Sequence, residues 1–110
     1  MSMSFGRANR VRTFIEQNLA QRLDTKVLAG VAYVSRAHFC RAFKGTFGVT
    51  VHQYVVQRRL ERAQHLMLTT SATLTEIAAT CGMSDHSHLT RVFRRAVEEA
   101  PSAWRKRNLG

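Results

Sequence analysis

The sequence predicts an all-α protein in which seven helices form two helix-turn-helix units joined by a long linking helix. Apolar residues recur every three or four positions, no segment alternates long enough for a strand, and a segment of about 50 residues occurs twice. We expect one region of residues 1–110 containing a first unit at 8–50, a linking helix at 51–70 and a second unit at 71–108. The predicted helices are 8–19, 25–32, 36–47, 51–69, 74–81, 85–97 and 101–107.

Apolar stripes and capping residues justify each of these helices in turn. In the first helix, Val11, Phe14, Ile15 and Leu19 share one side, and similar stripes run through the later helices. Side-chain oxygens or a proline stand at most of the predicted starts, where they satisfy or replace free backbone N–H groups. These residues are Asp24, Ser35 and Ser84, the Thr50–Gln53 and Thr73–Glu76 capping boxes, and Pro101.

The internal repeat predicts that the two units have the same architecture. Residues 38–44 align with 88–94 at an offset of 50, and Tyr54 aligns with Trp104. Each copy consists of a short helix, a tight connection and a second helix, which is the outline of a helix-turn-helix motif.

Charge and composition narrow the class of function. The 110 residues contain 17 Lys and Arg against 7 Asp and Glu, a formal charge of +10, while 45% are hydrophobic. This combination indicates a folded domain with a polyanionic partner. The longest apolar run has eight residues, too short to span a membrane. Two cysteines 41 positions apart suggest a reducing compartment, so we expect a cytoplasmic protein.

Enzymatic and metal functions find no support in the sequence. It contains no Ser/His/Asp set, no paired carboxylates and no phosphate-binding glycine loop, so we expect no enzyme and no cofactor. Cys81, His86 and His88 lack the spacing of a four-ligand zinc site. The basic segment from Arg105 to Arg107 is expected to be solvated.

The second helix of each unit carries a polar face opposite its apolar side. At about 100° per residue, Phe39 and Phe43 lie opposite Arg36, Ala37, Cys40, Arg41 and Lys44. In the second copy, Leu89 and Phe93 lie opposite His86, Ser87, Thr90, Arg91 and Arg94. Such a helix fits the DNA major groove, where Arg can read guanine and Ser or Thr can read base edges.

Residues 77–94 closely resemble the signature of AraC/XylS-type bacterial transcription regulators. The match runs Ile77-Ala78-x-x-Cys81-Gly82-Met83-x-Asp85-x-Ser87-His88-Leu89-x-Arg91-x-Phe93-Arg94, and 101–105 continue it. Ser35 to Lys44 resemble the first recognition helix of this family, and Arg59 to Met67 resemble its linking helix. The resemblance covers about residues 9–107.

This resemblance implies a monomer whose two recognition helices enter adjacent major grooves of promoter DNA. A 19-residue linking helix is about 28 Å long, close to the roughly 34 Å of one DNA turn. The implied base-reading residues are Arg36, Ala37, Cys40, Arg41, His86, Ser87, Thr90 and Arg91. The implied phosphate contacts are Lys44, Arg94 and Arg95.

The function expected is sequence-specific transcription regulation, with activation through contact with RNA polymerase. No small-molecule effector site is expected within this chain. One alternative is a co-regulator or antagonist that binds proteins and contacts DNA only secondarily. Another is binding to any polyanion by charge alone, which physiological salt would abolish.

The chain departs from the family pattern at three positions. Tyr33 replaces the glycine of the first turn, so we expect that turn to be built differently, because a tyrosine with positive φ is strained. Val51 replaces the usual proline that opens the linking helix. Glu98 replaces a glycine after the second recognition helix and, with Glu99, places two acids near the expected DNA face.

Overall fold

The structure, a computed structural model, describes residues 2–109. These residues form seven α-helices and no strand, which confirms the all-α prediction. None of the helices in this range is long and apolar enough to cross a membrane. The helices are α1 (Phe5–Gln17), α2 (Thr25–Val31), α3 (Arg36–Phe47), α4 (Val51–Thr69), α5 (Leu74–Thr80), α6 (His86–Val97) and α7 (Pro101–Leu109).

Side-chain caps set the helix starts, largely as the sequence predicts. Both capping boxes form, and in the second the Thr73 hydroxyl accepts from Glu76 N at 3.1 Å while Glu76 accepts from Thr73 N at 3.0 Å. The predicted start of the first helix at residue 8 is wrong, because Ser4 accepts from Arg7 N and α1 begins at Phe5.

The predicted cap of the sixth helix is also wrong by one residue. Asp85, not Ser84, is the N-cap of α6, and its carboxylate accepts from His88 N at 2.7 Å. The backbone N–H of Ser84 instead donates to Nδ1 of His88 at 3.1 Å, which ties the turn to the start of the helix. A charged carboxylate is a stronger hydrogen-bond acceptor than the Ser84 hydroxyl. Its negative charge also interacts favourably with the helix dipole at the N-terminus.

The described residues fall into two compact units, which we call unit 1 and unit 2, and which divide between Val55 and Val56 inside α4. Each unit has its own core. In unit 1 the core residues are Val11, Ile15, Leu19, Leu28, Ala29, Ala32, Phe39, Phe43, Val51 and Val55. In unit 2 they are Leu60, Ala63, Met67, Ile77, Ala78, Cys81, Met83, Leu89 and Phe93.

Equivalent aromatic contacts confirm the internal repeat at the level of packing. In unit 1 the ring of Phe43 meets Tyr54 edge-on, with centroids 5.4 Å apart and planes at 78°. In unit 2 Phe93 meets Trp104 in the same way, at 5.6 Å and 67°. In both units an aromatic residue of the recognition helix is therefore packed against an aromatic residue about 11 positions later in the chain.

The turn between the first two helices of each motif has the same backbone in both units. In unit 1, Tyr33 N donates to Gly30 O and Val34 N to Ala29 O, and the same pattern recurs at Gly82. Tyr33 has φ 57° and Gly82 has φ 76°, so both are left-handed residues of a Schellman motif. The expectation of a different first turn is wrong, because Tyr33 adopts the strained conformation that glycine adopts freely.

The C-terminal basic segment is only partly solvated. Arg105 is half-buried and donates to the carbonyl oxygens of Met67 at 3.0 Å, Ala72 at 2.7 Å and Thr70 at 2.8 Å. These carbonyls lie at and just after the end of α4, where the backbone has no helical donors left. Arg105 is therefore a structural residue of unit 2, contrary to the sequence expectation.

Candidate nucleic-acid interface

The first candidate surface is the exposed side of α3. Ser35 caps this helix by accepting from His38 N, and Phe39 and Phe43, both fully buried, anchor its other side in the core of unit 1. The exposed side carries all five residues expected there from the helical spacing. They are Arg36, Ala37, Cys40, Arg41 and Lys44.

Arg36 is held by a neighbouring helix. Its Nε donates to the hydroxyl of Thr25 at 2.8 Å, and Thr25 is the first residue of α2. Asp24 caps α2 by accepting from Val27 N at 2.9 Å, so the start of the helix that carries Thr25 is itself fixed. The bond occupies the Nε–H group and leaves the terminal nitrogens of the Arg36 guanidinium available to a ligand.

A groove of about 700 Å³ in unit 1, which we call the unit 1 groove, adjoins the exposed side of α3. Its wall is mainly apolar, and Arg41 and Lys44 bring two cations to it. Sequence reasoning missed several of its residues, since a threonine or histidine outside the recognition helix carries no distinguishing pattern. The lining residues are Thr25, Cys40, Arg41, Lys44, Gly45, Thr50, Val51 and His52.

The second candidate surface is the exposed side of α6 in unit 2. Leu89 and Phe93 are fully buried and orient the helix. A shallow depression of about 300 Å³, which we call the unit 2 depression, is lined by His86, Ser87, Thr90 and Arg91. The structure thus brings together all four residues that the family resemblance implies as base readers in this unit.

The end of α6 combines cations with the two unexpected acids. Arg94 and Arg95 are exposed in its last turn, where positive charge complements the helix dipole. Glu98 ends the helix with φ 64°, in the left-handed conformation that the usual glycine adopts more readily. Glu99 pairs with Arg107, whose Nη2 lies 2.7 Å from a Glu99 oxygen, and hydrogen bonding from Arg107 lowers the pKa of Glu99.

The pairing of Glu99 changes the electrostatic expectation at this end of the helix. Because Arg107 supplies a positive charge directly to Glu99, that carboxylate is compensated within unit 2 itself.

The residues considered for zinc do not form a metal-binding group. Residues 2–109 contain no cluster of three or more His, Cys, Asp or Glu side chains that could hold a metal ion. Cys81 is buried, and desolvation raises the pKa of its thiol, which keeps it protonated at neutral pH. His88 is engaged with Ser84 as described above.

Comparison with known proteins shows the family. A family profile described as a helix-turn-helix domain matches residues 28–107. The probable transcriptional regulator LumQ of Photobacterium leiognathi is 32% identical over 94 residues, which cover 86% of this chain and 38% of LumQ. The transcriptional activator RhaS of Escherichia coli O139:H28 is 32% identical over 98 residues, covering 89% of this chain and 35% of RhaS.

A solved structure gives the same result in three dimensions. It is the DNA-binding domain of AdpA, a global transcriptional factor, in complex with a target DNA. The alignment has a TM-score of 0.85 and 32% identity, and it covers 94% of this chain and 92% of that domain. The chain spans about a third of the length of the curated relatives it matches. The proteins in this comparison are transcription regulators, not enzymes. The chain belongs to the AraC-type family of helix-turn-helix transcription regulators.

Proposed function

We propose that this chain binds promoter DNA in a sequence-specific manner and regulates transcription, placing α3 of unit 1 and α6 of unit 2 in adjacent major grooves. The observation that carries the proposal is the pair of exposed recognition faces, each anchored by buried apolar residues on its other side. The similarity to AdpA, which was crystallised with its target DNA, supports double-stranded DNA as the ligand.

The roles of individual residues follow from their side chains. The proposed base readers are Arg36, Ala37, Cys40 and Arg41 in unit 1 and His86, Ser87, Thr90 and Arg91 in unit 2. Arg41 and Arg91 form no side-chain hydrogen bond or ion pair within residues 2–109, so their guanidinium groups can pair with guanine without first breaking an internal contact. Lys44, Arg94 and Arg95 are proposed to bind phosphates, which supplies affinity without sequence information.

The finer aspects of the function are proposals about the whole protein. The similarity to RhaS, a transcriptional activator, supports activation. We propose that the whole protein activates transcription through contact with RNA polymerase. We propose that the chain binds DNA as a monomer, because its two units already supply two recognition helices. We propose a cytoplasmic, nucleoid-associated location, because the proposed ligand is bacterial promoter DNA.

Selection of binding sites from random duplexes, followed by competition gel-shift assays, tests the proposal. We expect the selected site to compete far better than random DNA, and equal competition would refute sequence-specific binding. A binding site about two helical turns long is expected, because each recognition helix would occupy one major groove. A protected segment of a single turn would exclude simultaneous binding by both units.

Two substitutions separate base reading from phosphate binding. Arg91→Ala is expected to cost about 1–3 kcal/mol on the selected site and to relax base choice at one position. Lys44→Ala is expected to weaken all sequences alike and to reduce the salt slope by about one. Lys106→Ala removes the same charge from an exposed residue of α7 and serves as the control, with little change in either measurement.

A second function is favoured by one specific observation. Tyr33 is 82% exposed although it occupies a strained backbone conformation, and Val27 on the preceding helix is 43% exposed. Such a residue could contact a protein partner, as a co-regulator would. Capture of a partner from nuclease-treated extract, retained when Arg41 and Arg91 are both replaced by Ala, would favour this function. Loss of capture in that double variant would favour DNA binding.

A further inference from the structure

We propose that unit 1 recognises thymine through its C5-methyl group at Ala37 and Cys40, beside the bases read by Arg36 and Arg41. The equivalent positions of unit 2, Ser87 and Thr90, recognise the hydrogen-bonding edges of bases instead. This inference rests on the proposed function, in which α3 and α6 enter the major groove. It assigns to each unit a different chemical feature of the DNA.

Two of the four proposed base readers of α3, Ala37 and Cys40, offer little hydrogen bonding. Ala37 and Cys40 are both exposed on the recognition face, one turn apart. Alanine has no polar side-chain atom, and a thiol is only a weak donor and acceptor. Between the cations Arg36 and Arg41, the surface that α3 presents to a base edge is therefore carbon and sulfur.

The unit 1 groove extends this apolar surface. Its mainly apolar lining includes Cys40, Gly45, which has no side chain, and Val51, which is 6% exposed. Its lining includes Arg41 and Lys44 and contains no acidic residue. An apolar wall bordered by cations suits a DNA strand, because methyl groups can contact the wall while phosphates meet the cations.

Only one base of ordinary DNA complements such a surface in the major groove. Thymine alone presents a methyl group there, beside its O4 acceptor, whereas guanine, cytosine and adenine are distinguished by their donors and acceptors. A donor or acceptor placed against Ala37 and Cys40 would lose its hydrogen bonds to water without replacement, which costs free energy. A methyl group placed there gains free energy from burial.

Unit 2 has the opposite chemistry at the equivalent positions. His86, Ser87, Thr90 and Arg91, which line the unit 2 depression, all carry hydrogen-bonding groups. Thr90 stands where unit 1 has Cys40, at the repeat offset of 50. The two copies of one motif therefore differ in polarity at this position of the recognition face.

Replacement of thymine by uracil tests the inference, because it removes the methyl group and leaves every hydrogen-bonding atom in place. The selected site is first divided into two halves by the positions at which Arg41→Ala and Arg91→Ala relax base choice. Each dT is then replaced by dU singly, and the dissociation constant of the full chain is measured at fixed salt. We expect about a fourfold weakening at one or more thymines of the unit 1 half, the value of one buried methyl group, and less than twofold in the unit 2 half.

Variants at equivalent positions provide the matched control. Cys40→Ser keeps the size of the side chain but adds a polar hydroxyl, and it is expected to reduce the dT/dU ratio in the unit 1 half towards one. Thr90→Val is expected to change affinity without changing that ratio. Equal affinity for dT and dU throughout a selected site would overturn the inference and leave the proposed function intact, as would an equal effect in both halves. Absence of any selected site would instead refute the proposed function.

Discussion

Replacement of Arg105 by Ala is the most informative test of how unit 2 is held together. The guanidinium of Arg105 donates to three backbone carbonyls, and the bonds to Met67 and Ala72 are partly buried. A hydrogen bond with a charged partner contributes about 1.5–3 kcal/mol to stability. Counting only the two partly buried bonds at the lower value, we expect Arg105→Ala to reduce the free energy of unfolding by about 3 kcal/mol.

The assay follows from the position of the single tryptophan. Trp104 packs against Phe93 in the core of unit 2, so its fluorescence during urea titration reports the unfolding of that unit. Arg105→Lys retains the charge but lacks the planar fork, and we expect it to lose about half as much stability as Arg105→Ala. A decrease of about 3 kcal/mol corresponds to a melting temperature lower by roughly 10 °C or more.

Lys106→Ala is the matched control, because it also removes one positive charge from α7 but involves an exposed side chain. We expect it to change stability by less than about 0.5 kcal/mol. If Arg105→Ala and Lys106→Ala lower the free energy of unfolding equally, the three bonds contribute nothing beyond charge and the reasoning is wrong.

Three further predictions concern the first turn, a capping carboxylate and the orientation of Arg36. Tyr33→Gly is expected to raise stability by about 1 kcal/mol, because glycine adopts the left-handed conformation without strain, and Gly82→Ala should lower it in urea titrations followed by circular dichroism. Stability lost by Tyr33→Gly would contradict this account. Hydrogen bonds lower the pKa of Glu76 from 4.5, so its stabilising contribution is present above 4.5 and is lost as the pH falls through the folded-state pKa. Glu76→Gln keeps the capping hydrogen bond but does not titrate, so its folding stability should fall less steeply with acid below about pH 5. If the pH dependence of stability is unchanged in this variant, Glu76 does not contribute to acid unfolding. Thr25→Val removes the acceptor of the Arg36 bond and should reduce base discrimination roughly two- to tenfold, with no effect in an Arg36→Ala background. An equal loss in both backgrounds would assign Thr25 a purely structural role.

Local patterns were enough to predict most of the helices, because their causes lie within a few residues. The Thr73–Glu76 capping box forms as expected, since each partner lies three residues from the other. The failures were also local but involved competing candidates. Ser84 and Asp85 are both residue types that cap helices well. Which of them occupies the N-cap depends on the backbone path of the turn after Gly82.

The candidate site was predictable in part. Helical spacing was sufficient to assign Cys40 and Arg41 to the exposed side of α3, because burial of Phe39 and Phe43 dictates the rotation of that helix. The contribution of Thr25 was not predictable, because the hydrogen bond to Arg36 joins residues 11 positions apart on different helices. The same reason explains why the apolar unit 1 groove was missed.

The sequence by itself determined the helical class, the duplication and the polarity of each recognition face, since periodicity and capping act over one or two turns of helix. Only the tertiary structure decided that Arg105 binds the end of α4 and that Arg107 neutralises Glu99. It also decided that Tyr33 adopts the left-handed backbone conformation that is usual for glycine. Arg105 and Met67 are 38 positions apart and Arg107 and Glu99 are eight apart, whereas the turn at Tyr33 closes on Gly30 and Ala29. All three outcomes depend on how the helices of a unit pack against one another, which helical periodicity does not specify. Where such packing requires a particular backbone or partner, it can outweigh a local preference of about 1–2 kcal/mol, which is why Tyr33 is strained and the turn is still formed.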